Sequence, residues 1–412
     1  MSTYICPYCF QKADANLVCF QCVNSGCNRA DKVRTEYNQD APLRVGQTPG
    51  LYRTVFEMET PGYFSRLFGA KIPHDAYCPA CRYKTSIRAC PKCHSPFPHG
   101  VDDLSNMVIA IIGSKETGKS HYIAVLIQRI FELYEDFRWT LLAMDDATMK
   151  LYQREFYKPL YENRITINIT QTATANHSVR QPLLYSLSIT QGHQLKTITL
   201  AFFDTAGEDL SDKNDDTNVI DSMAKINRYI YNASGIIMLI DPLQFPEIRK
   251  KVELSGVSPQ SMSEETNTGA GNVIMRTAQL IYRCQNRPQT KKIDIPLAVV
   301  FSKADLLKKK VLGPESSVFQ KSRHNGYFCM DDFRNNNEHI RDWIANYDRQ
   351  FIQTTAIFKD VAFFGVSALG GNPLPQEGNK NVKRLPFPTP HPIRVEDPFL
   401  WLLWKNGFIK GR

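Results

Sequence analysis

The stretch from Met107 to Ser120 constrains the fold of this chain more than any other. It reads MVIAIIGSKETGKS, in which a short apolar run rich in β-branched residues leads directly into a Gly-x4-Gly-Lys-Ser sequence. Such a loop binds phosphate when a strand precedes it and a helix follows it. The amphipathic sequence HYIAVLIQRIFELY predicts that helix. We therefore expect an α/β fold in which a central, mostly parallel sheet is flanked by helices.

Each residue type in this loop has a chemical role. Gly113 and Gly118 let the backbone turn tightly, so that successive N–H groups point at phosphate oxygens. Lys119 reaches the outer phosphates, and Ser120 offers a hydroxyl to Mg²⁺. The positive end of the helix dipole adds to the attraction for phosphate. The other loop positions expected to line the site are Lys115, Glu116, Thr117 and His121.

Cysteines are concentrated at the start of the chain. Nine of the eleven lie before residue 94, mostly as pairs with two intervening residues. Such pairs are typical of structural zinc sites with four thiolate ligands. The pairs are Cys6/Cys9, Cys19/Cys22, Cys78/Cys81 and Cys90/Cys93, and Cys27 is an additional cysteine. We expect residues 1–98 to form a small zinc-ribbon head with two structural zinc sites.

The spacing leaves part of the pairing open. One predicted site consists of the cysteines of the last two pairs, Cys78, Cys81, Cys90 and Cys93. The other would combine Cys6, Cys9 and Cys22 with either Cys19 or Cys27. A cross-braced arrangement, in which the 6/9 pair joins the 78/81 pair, is an alternative. Sites of this kind have closed ligand shells, so zinc catalysis is not expected.

Composition limits the class of protein. With 42% hydrophobic and 22% charged residues, the chain can form a globular core. Its apolar runs, such as Gly235 to Ile240, are shorter than the roughly 20 residues that span a bilayer, and its N-terminus lacks the pattern of a secretory signal. We therefore expect a cytoplasmic protein without a membrane partner. The net charge of +9 is compatible with nucleic acid as a partner of residues 1–100.

Two predicted strands after the loop form a hairpin. LLYSLSIT and LKTITLAFFD alternate apolar and polar residues, whereas residues 138–164 before them are predicted to be helical. The second strand ends in Asp-Thr-Ala-Gly at positions 204–207. Asp204 is placed to hold the hydration shell of Mg²⁺, and Gly207 to offer its backbone N–H to a terminal phosphate.

Two later strands end in residues suited to guanine. IPLAVVF is followed by Ser302, Lys303, Ala304 and Asp305. The Asp305 carboxylate is able to accept hydrogen bonds from N1–H and the N2 amino group of guanine, a donor pair that adenine lacks. The Lys303 stem is able to lie along the base. The final strand leads into Ser367 and Ala368, whose backbone N–H groups are suited to meet guanine O6.

In this order, GSKETGKS, DTAGED, SKAD and SAL resemble the translation-factor and Ras-like class of phosphate-loop GTPases over residues 105–370. More narrowly, cysteine pairs before such a domain and a C-terminal DPFLWLL are similar to bacterial double-GTPase proteins proposed to act in conflict or defence systems. The resemblance implies GTP and GDP as ligands. It also implies a Mg²⁺-binding threonine in a mobile loop, for which Thr170, Thr172 and Thr174 compete and Thr172 is preferred.

Two departures from the family pattern concern hydrolysis. Glu208 stands where many relatives place a water-orienting glutamine, and a carboxylate near phosphate is repelled. Lys115 and Glu116 stand where glycine is common; their bulk would obstruct an arginine supplied by a partner, or Lys115 would instead supply positive charge itself. We therefore expect a nucleotide switch with slow, Mg²⁺-dependent GTP hydrolysis that acts on a protein partner. The groups expected to act in hydrolysis are Lys119, Ser120, Thr172 and Glu208.

An adapter is the alternative function. In that case the zinc-ribbon head binds nucleic acid or protein, and the nucleotide domain is a scaffold with little turnover. The nucleic-acid form of this alternative predicts steeply salt-dependent binding of DNA or RNA by residues 1–100 alone.

The tail, residues 371–412, opens with Gly- and Pro-rich sequence and ends in VEDPFLWLLWKNGFIK. The residues from Trp401 to Trp404 form a dense apolar cluster. We expect this cluster to dock on the nucleotide domain as a short terminal helix.

Overall fold

The cysteine-rich head is built from short antiparallel strands. The computed structural model describes residues 3–14, 19–24, 27, 55–57, 74–97, 106–114, 117–167, 182–191, 194–204, 228–253, 270–309, 311–376 and 379–412. The strands of the head are β1 (Thr3–Ile5), β2 (Lys12–Asp14), β3 (Cys19–Gln21), β4 (Val55–Glu57), β5 (Ala76–Tyr77), β6 (Lys84–Thr85) and β7 (Arg88–Ala89). β1 pairs with β2, β3 lies between β4 and β7, and β5 pairs with β6. Strands this short need a further restraint, which the cysteines are placed to provide.

A seven-stranded sheet forms the centre of the nucleotide domain. Its strands are β8 (Asn106–Gly113), β9 (Trp139–Ala143), β10 (Leu183–Gln191), β11 (Gln194–Asp204), β12 (Gly235–Ile240), β13 (Leu297–Phe301) and β14 (Val361–Gly365). Their spatial order is β14-β13-β12-β8-β11-β10-β9. The five strands from β14 to β11 are parallel, whereas β10 is antiparallel to both of its neighbours. The expected α/β fold with a mostly parallel sheet is confirmed.

Helices cover both faces of this sheet. They are α1 (Lys119–Glu132), α2 (Tyr134–Phe137), α3 (Asp146–Tyr152), α4 (Arg228–Tyr231), α5 (Pro246–Glu253), α6 (Ala270–Cys284), α7 (Met330–Ala345), α8 (Arg349–Thr355) and α9 (Asp397–Lys405). Alternate residues of β8 enter opposite core layers, Ile109 and Ile111 with α1, and Val108 and Ala110 with α6 and α7. Both faces of β8 are apolar because both are covered. No described helix is long and apolar enough to cross a membrane.

The edge strand β9 replaces the start of a segment that was predicted to be helical. Trp139 and Leu141 are buried, whereas Thr140 and Leu142 are exposed. This alternation is that of a strand with one covered face, and pairing with β10 stabilises it. The adjacent leucines obscure the alternation in the sequence. The rest of the segment is helical as predicted, with α3 continuing into a π-helix over Gln153–Glu162.

The tail contributes to the core of the nucleotide domain. Helix α9 buries every residue from Asp397 to Leu403. Leu402 packs so closely on the start of β12 that a Cβ at Gly235 would lie 2.5 Å from it. Before this helix, β15 (Leu374–Gln376) and β16 (Asn379–Arg384) form a small hairpin. The expected terminal helix is therefore present and packed on the sheet.

Candidate functional site

The phosphate loop joins the end of β8 to the start of α1. Gly113 lies so close to β12 that a Cβ would be 2.5 Å from the carbonyl oxygen of Leu239. Gly118 has a φ of +83°, in the left-handed region that favours glycine. Backbone geometry therefore requires glycine at both positions. Lys115 and Glu116 of this loop lie outside the described residues.

A buried cation lies inside the loop. Lys119 Nζ donates hydrogen bonds to the carbonyl oxygens of Gly113, at 2.9 Å, and Ser114, at 3.2 Å. The hydroxyl of the buried Thr117 donates to the Ser114 carbonyl at 2.9 Å. Ser120 lies half-buried in the first turn of α1. A cation, a helix N-terminus and a tight loop at one place form an arrangement that attracts phosphate.

His121 connects α1 to the segment that leads into residues 168–181. Its Nε2 accepts a hydrogen bond of 3.1 Å from the backbone N–H of Ile167. Burial and, secondarily, the positive charge of Lys303 lower the pKa of His121 from 6.5 to about 4. The ring is therefore neutral near pH 7 and carries its proton on Nδ1. Thr172, predicted in the segment that follows, lies outside the described residues.

The residues predicted to recognise the base, at the ends of β13 and β14, come together. Ser367 Oγ donates a hydrogen bond of 2.5 Å to Asp305 Oδ1. Burial raises the pKa of Asp305, and the hydrogen bond from Ser367 opposes this shift. Ser302 donates from both its backbone N–H and its hydroxyl to the Ile240 carbonyl. Ala368, also predicted here, is half-buried against the core.

Asp241 and Gln244 are site residues that the sequence analysis missed. Asp241 is buried directly after β12, and its Oδ2 accepts a hydrogen bond of 2.7 Å from Lys303 Nζ. Gln244 Nε2 donates to Ser114 Oγ of the phosphate loop. The signal for Asp241 was its position, a carboxylate at the end of the wholly apolar strand GIIMLI. A single loop thus contacts both the phosphate loop and the base-recognition loop.

The predicted Mg²⁺ and γ-phosphate residues are only partly described. The backbone of Asp204 pairs in register with Ile111 of β8, so this residue ends the strand adjacent to the phosphate loop. Gly207 and Glu208 lie outside the described residues. The roles of all three residues stay predictions.

Two groups of four cysteines in the head have the spacing of metal sites. In each group all four Sγ atoms lie within 4.8 Å of one another: Cys6, Cys9, Cys90 and Cys93; and Cys22, Cys27, Cys78 and Cys81. The Sγ atoms are 3.8 Å apart for Cys6 and Cys93 and 3.5 Å apart for Cys22 and Cys81. Thiolates at about 2.3 Å from a tetrahedral zinc ion lie roughly 3.8 Å apart. Both groups therefore fit zinc.

The grouping corrects two expectations. The pairs 78/81 and 90/93 belong to different groups rather than to one site, and the 6/9 pair joins 90/93 rather than 78/81. Cys19 belongs to neither group, and Cys27 takes the fourth position beside Cys22. The reason is strand pairing, because β3 places Cys19 opposite Ala89 of β7. This pairing brings β3 beside β7, although the two strands are far apart in the sequence.

The thiols of the second group differ in acidity. Burial raises the pKa of Cys22 to about 12, whereas a backbone hydrogen bond from Tyr83 lowers the pKa of Cys81 to about 7. Zinc binds thiolates and releases their protons.

Comparisons with known proteins agree with the motifs. The family model described as Double-GTPase 2 matches residues 107–326, more than half of the chain. A curated protein of Mycolicibacterium smegmatis (strain ATCC 700084 / mc(2)155), SaeC, described as a proposed ESX-1 scaffolding and assembly protein, is 26% identical over 425 residues. The match covers 98% of this chain and 98% of SaeC.

Two solved structures share only remote similarity with the chain. Sup35 in complex with GDP is 15% identical with a TM-score of 0.23, and the match covers 66% of this chain and 39% of that one. The GTPase-like domain of S. cerevisiae Ski7, bound to GDP and inorganic phosphate, is 15% identical with a TM-score of 0.29, and the match covers 67% and 47%. The chain thus spans less than half the length of either structure, and these scores support no structural conclusion.

Proposed function

The chain belongs to the Double-GTPase 2 family, and we propose that it is a guanine-nucleotide switch that hydrolyses GTP slowly and controls a protein assembly. The observation that carries the choice of base is the half-buried Asp305 carboxylate, fixed by Ser367 at the ends of two adjacent parallel strands. Against adenine, which lacks the donor pair of guanine, this carboxylate would keep only the hydrogen bond from Ser367. A partly desolvated charge that is not fully hydrogen-bonded is costly, so the site favours guanine.

The phosphate side of the site fits a nucleoside triphosphate. Lys119 lies inside the loop, and the N–H groups of the first turn of α1 point towards the same place. Ser120 and Asp204 would hold Mg²⁺, which neutralises charge on the phosphates when it is bound. Lys303, held by Asp241, would lay its stem along the base.

Slow hydrolysis is proposed from the sequence positions of Glu208, Lys115 and Glu116 relative to the family motifs. Glu208 brings a negative charge to a position that usually carries a neutral water-orienting amide, and repulsion from phosphate keeps it away from the attacking water. Lys115 and Glu116 occupy loop positions where an arginine from a partner would need space. The bound nucleotide therefore persists for long enough to act as a signal.

Control of a protein assembly is proposed from the full-length match. SaeC, which matches 98% of this chain, is described as a proposed scaffolding and assembly protein. We infer that the head and the nucleotide domain together form a scaffold whose partner contacts depend on the bound nucleotide. The match favours this role over a role in defence, which is implied by the family resemblance alone.

Nucleotide binding by purified protein tests the choice of base. With Mg²⁺ present, calorimetric titration should give at least 100-fold tighter binding of GTP than of ATP, in the range reached by sites that hydrogen-bond a specific substrate group. Asp305→Asn should lower GTP affinity and raise affinity for xanthosine triphosphate. Asp342→Asn is the matched control, because the Asp342 side chain is 75% exposed. Preference of the wild-type protein for ATP would overturn the proposal.

Phosphate release under single-turnover conditions tests slow hydrolysis. Glu208→Gln should raise the rate by roughly tenfold or more, because it removes the negative charge and restores a neutral amide. Lys119→Ala should abolish both binding and hydrolysis. An unchanged or lower rate for the glutamine variant would show that Glu208 assists the reaction.

A second candidate function is recognition of single-stranded nucleic acid by the head. Tyr77 and Tyr83 are 62% and 57% exposed on either side of the Cys78/Cys81 knuckle, with the exposed basic residues Arg82 and Lys84 next to Tyr83. Exposed aromatic rings beside basic side chains suit stacked bases and a phosphate backbone. This surface would bind without help from the nucleotide site.

Binding of single-stranded oligonucleotides by the full chain tests this candidate. Affinity should fall steeply with salt, and Tyr83→Ala should lower it by roughly 5- to 150-fold, since each stacked base contributes about 1–3 kcal/mol. Tyr134→Ala is the control, because Tyr134 is 55% exposed on the nucleotide domain. Absence of binding at low salt, or equal losses for both variants, would rule the surface out.

A further inference from the structure

The C-terminal tail runs directly beneath the base-recognition loop. We define the tail strap as residues 391–397 and the base loop as residues 367–370. The backbone N–H of Ser367 donates to the Ile393 carbonyl at 3.0 Å, and the Ile393 N–H donates back to the Ser367 carbonyl at 2.8 Å. The His391 N–H also donates to the Leu369 carbonyl at 3.1 Å. Three backbone hydrogen bonds therefore join the strap to the base loop.

Gly370 permits this close approach. Its φ is +78°, and a Cβ at this position would lie 2.2 Å from the His391 carbonyl oxygen. Its N–H donates to Ser367 Oγ, the same hydroxyl that donates to Asp305. The shape of the base loop, the contact with Asp305 and the position of the strap thus depend on one another.

The strap is fixed to the domain by a buried arginine. Arg394 Nη1 donates to Asp332 Oδ2 of α7 and to Asp397 Oδ2 of α9, each at 2.8 Å. Arg394 Nη2 donates to Asp332 Oδ1 at 3.1 Å. His324, Asp332 and Asp397 have the spacing of a metal site, but the guanidinium already bridges both carboxylates. The cluster is therefore an anchor for the strap.

The other side of the strap contacts the helix that follows the phosphate loop. Tyr122 of α1 donates its hydroxyl proton to the Val395 carbonyl at 3.1 Å. Arg129, also on α1, pairs with Glu396 at 3.0 Å. The strap therefore bridges the base loop and the phosphate-binding helix.

We propose that the tail strap, by engaging the Ser367 N–H, positions the base loop so that the Ala368 N–H reads the 6-oxo group of guanine. This inference rests on the proposed guanine-nucleotide site and assigns part of its specificity to the C-terminal tail. Asp305 accepts hydrogen bonds from N1–H and the N2 amino group of guanine. The strap, in contrast, fixes the backbone that donates to O6. Displacing the strap should therefore weaken recognition of O6 while recognition of the amino group remains.

The variant Gly370→Ala tests this division of roles. GTP is compared with 6-thio-GTP, which replaces the oxygen by a poor acceptor, and with ITP, which lacks the N2 amino group. In the wild-type protein both analogues should bind more weakly than GTP. In the variant, the GTP to 6-thio-GTP affinity ratio should fall by roughly 2- to 10-fold, the equivalent of one neutral hydrogen bond. The GTP to ITP ratio should stay within about twofold of the wild-type ratio.

Gly407→Ala is the matched control. Gly407 has a φ of +72°, and a Cβ there meets nothing within 4 Å, so this variant suffers similar backbone strain without displacing the strap. Its affinity ratios should equal those of the wild-type protein. Arg394→Lys is a second test, since lysine keeps the charge but loses the two-pronged geometry. It should shift the 6-thio-GTP ratio in the same direction as Gly370→Ala.

Two outcomes would overturn the proposal in distinguishable ways. If the wild-type protein shows no preference for GTP over ATP, the proposed guanine site fails and the role of the strap fails with it. If the wild-type protein prefers GTP but Gly370→Ala lowers both analogue ratios equally, or neither, the site stands and the strap has no specific role. The ratios are independent of the fraction of folded protein, so partial unfolding of a variant does not imitate the expected result.

Discussion

His121 gives the nucleotide domain a pH-dependent stability that His121→Gln should remove. Nε2 of the ring accepts the hydrogen bond from Ile167 only while the ring is neutral. Burial and the charge of Lys303 lower the pKa of His121 from 6.5 to about 4. Between these two pH values the histidine is therefore protonated in the unfolded chain and neutral in the folded chain. The stabilisation is therefore fully present above about pH 6.5 and is lost as the pH falls towards 4.

Proton linkage gives the magnitude of this effect. At pH 7.5 the histidine is neutral in both states, and the pH-dependent term is close to zero. At pH 5 the unfolded histidine is almost fully protonated and the folded one is mostly neutral, so the domain loses about 2 kcal/mol of its free energy of unfolding. Glutamine offers an uncharged carbonyl acceptor to Ile167 and does not titrate in this range. The His121→Gln variant should therefore keep this part of its free energy of unfolding at pH 5.

Urea unfolding of nucleotide-free protein at pH 7.5 and pH 5 measures the difference. All four tryptophans lie in the nucleotide domain or the tail that packs on it, at positions 139, 343, 401 and 404, so their fluorescence does not report on the head. Other titrating groups are common to both proteins and cancel in the comparison. His391→Gln is the control, because His391 is exposed and this variant should follow the wild-type protein. Equal losses for wild-type and His121→Gln proteins would refute the pKa shift and its cause.

Three further predictions concern metal, nucleotide and core. Cys27→Ser should reduce bound zinc from two ions to one per chain, measured by elemental analysis, whereas Cys19→Ser should keep two; the reverse result would contradict the observed grouping. Asp241→Asn should weaken GTP binding by roughly 3- to 10-fold in calorimetry, because Lys303 loses its charged partner, and unchanged affinity would mean that Lys303 needs no such support. Leu402→Ala should lower the free energy of unfolding by about 2–5 kcal/mol, and a loss below 1 kcal/mol would show that α9 is only loosely attached.

Local motifs explain why much of the site was predictable from the sequence. The phosphate loop is defined by residues within eight positions, and both of its glycines occupy backbone geometries that other residues resist. Lys303 and Asp305 follow a strand of five buried residues. The apolar sequence that predicts this strand therefore also predicts that the motif lies at its end. The two β-hairpin strands were predicted for the same reason, since their alternation is local.

The features that were missed depend on contacts between distant residues. The grouping of cysteines depends on β3 pairing with β7, more than sixty positions later, and no spacing rule contains that information. β9 became a strand because β10 offers it an edge. Asp241 became a site residue only when Lys303, sixty-two positions away, was placed beside it. In each case a tertiary contact selected among structures that were locally similar.

The end of β12 explains how one site can report on both the base and the phosphates. The Leu239 carbonyl lies under Gly113 of the phosphate loop, and the Ile240 carbonyl accepts hydrogen bonds from Ser302 of the base motif. Asp241 then holds Lys303, and Gln244 holds Ser114. A displacement of residues 239–244 would therefore shift both the phosphate loop and the base motif. Because Gln244 contacts the phosphate loop and Asp241 contacts the base motif, Gln244→Ala should change affinity for the triphosphate more than selectivity for the base, whereas Asp241→Asn should change both.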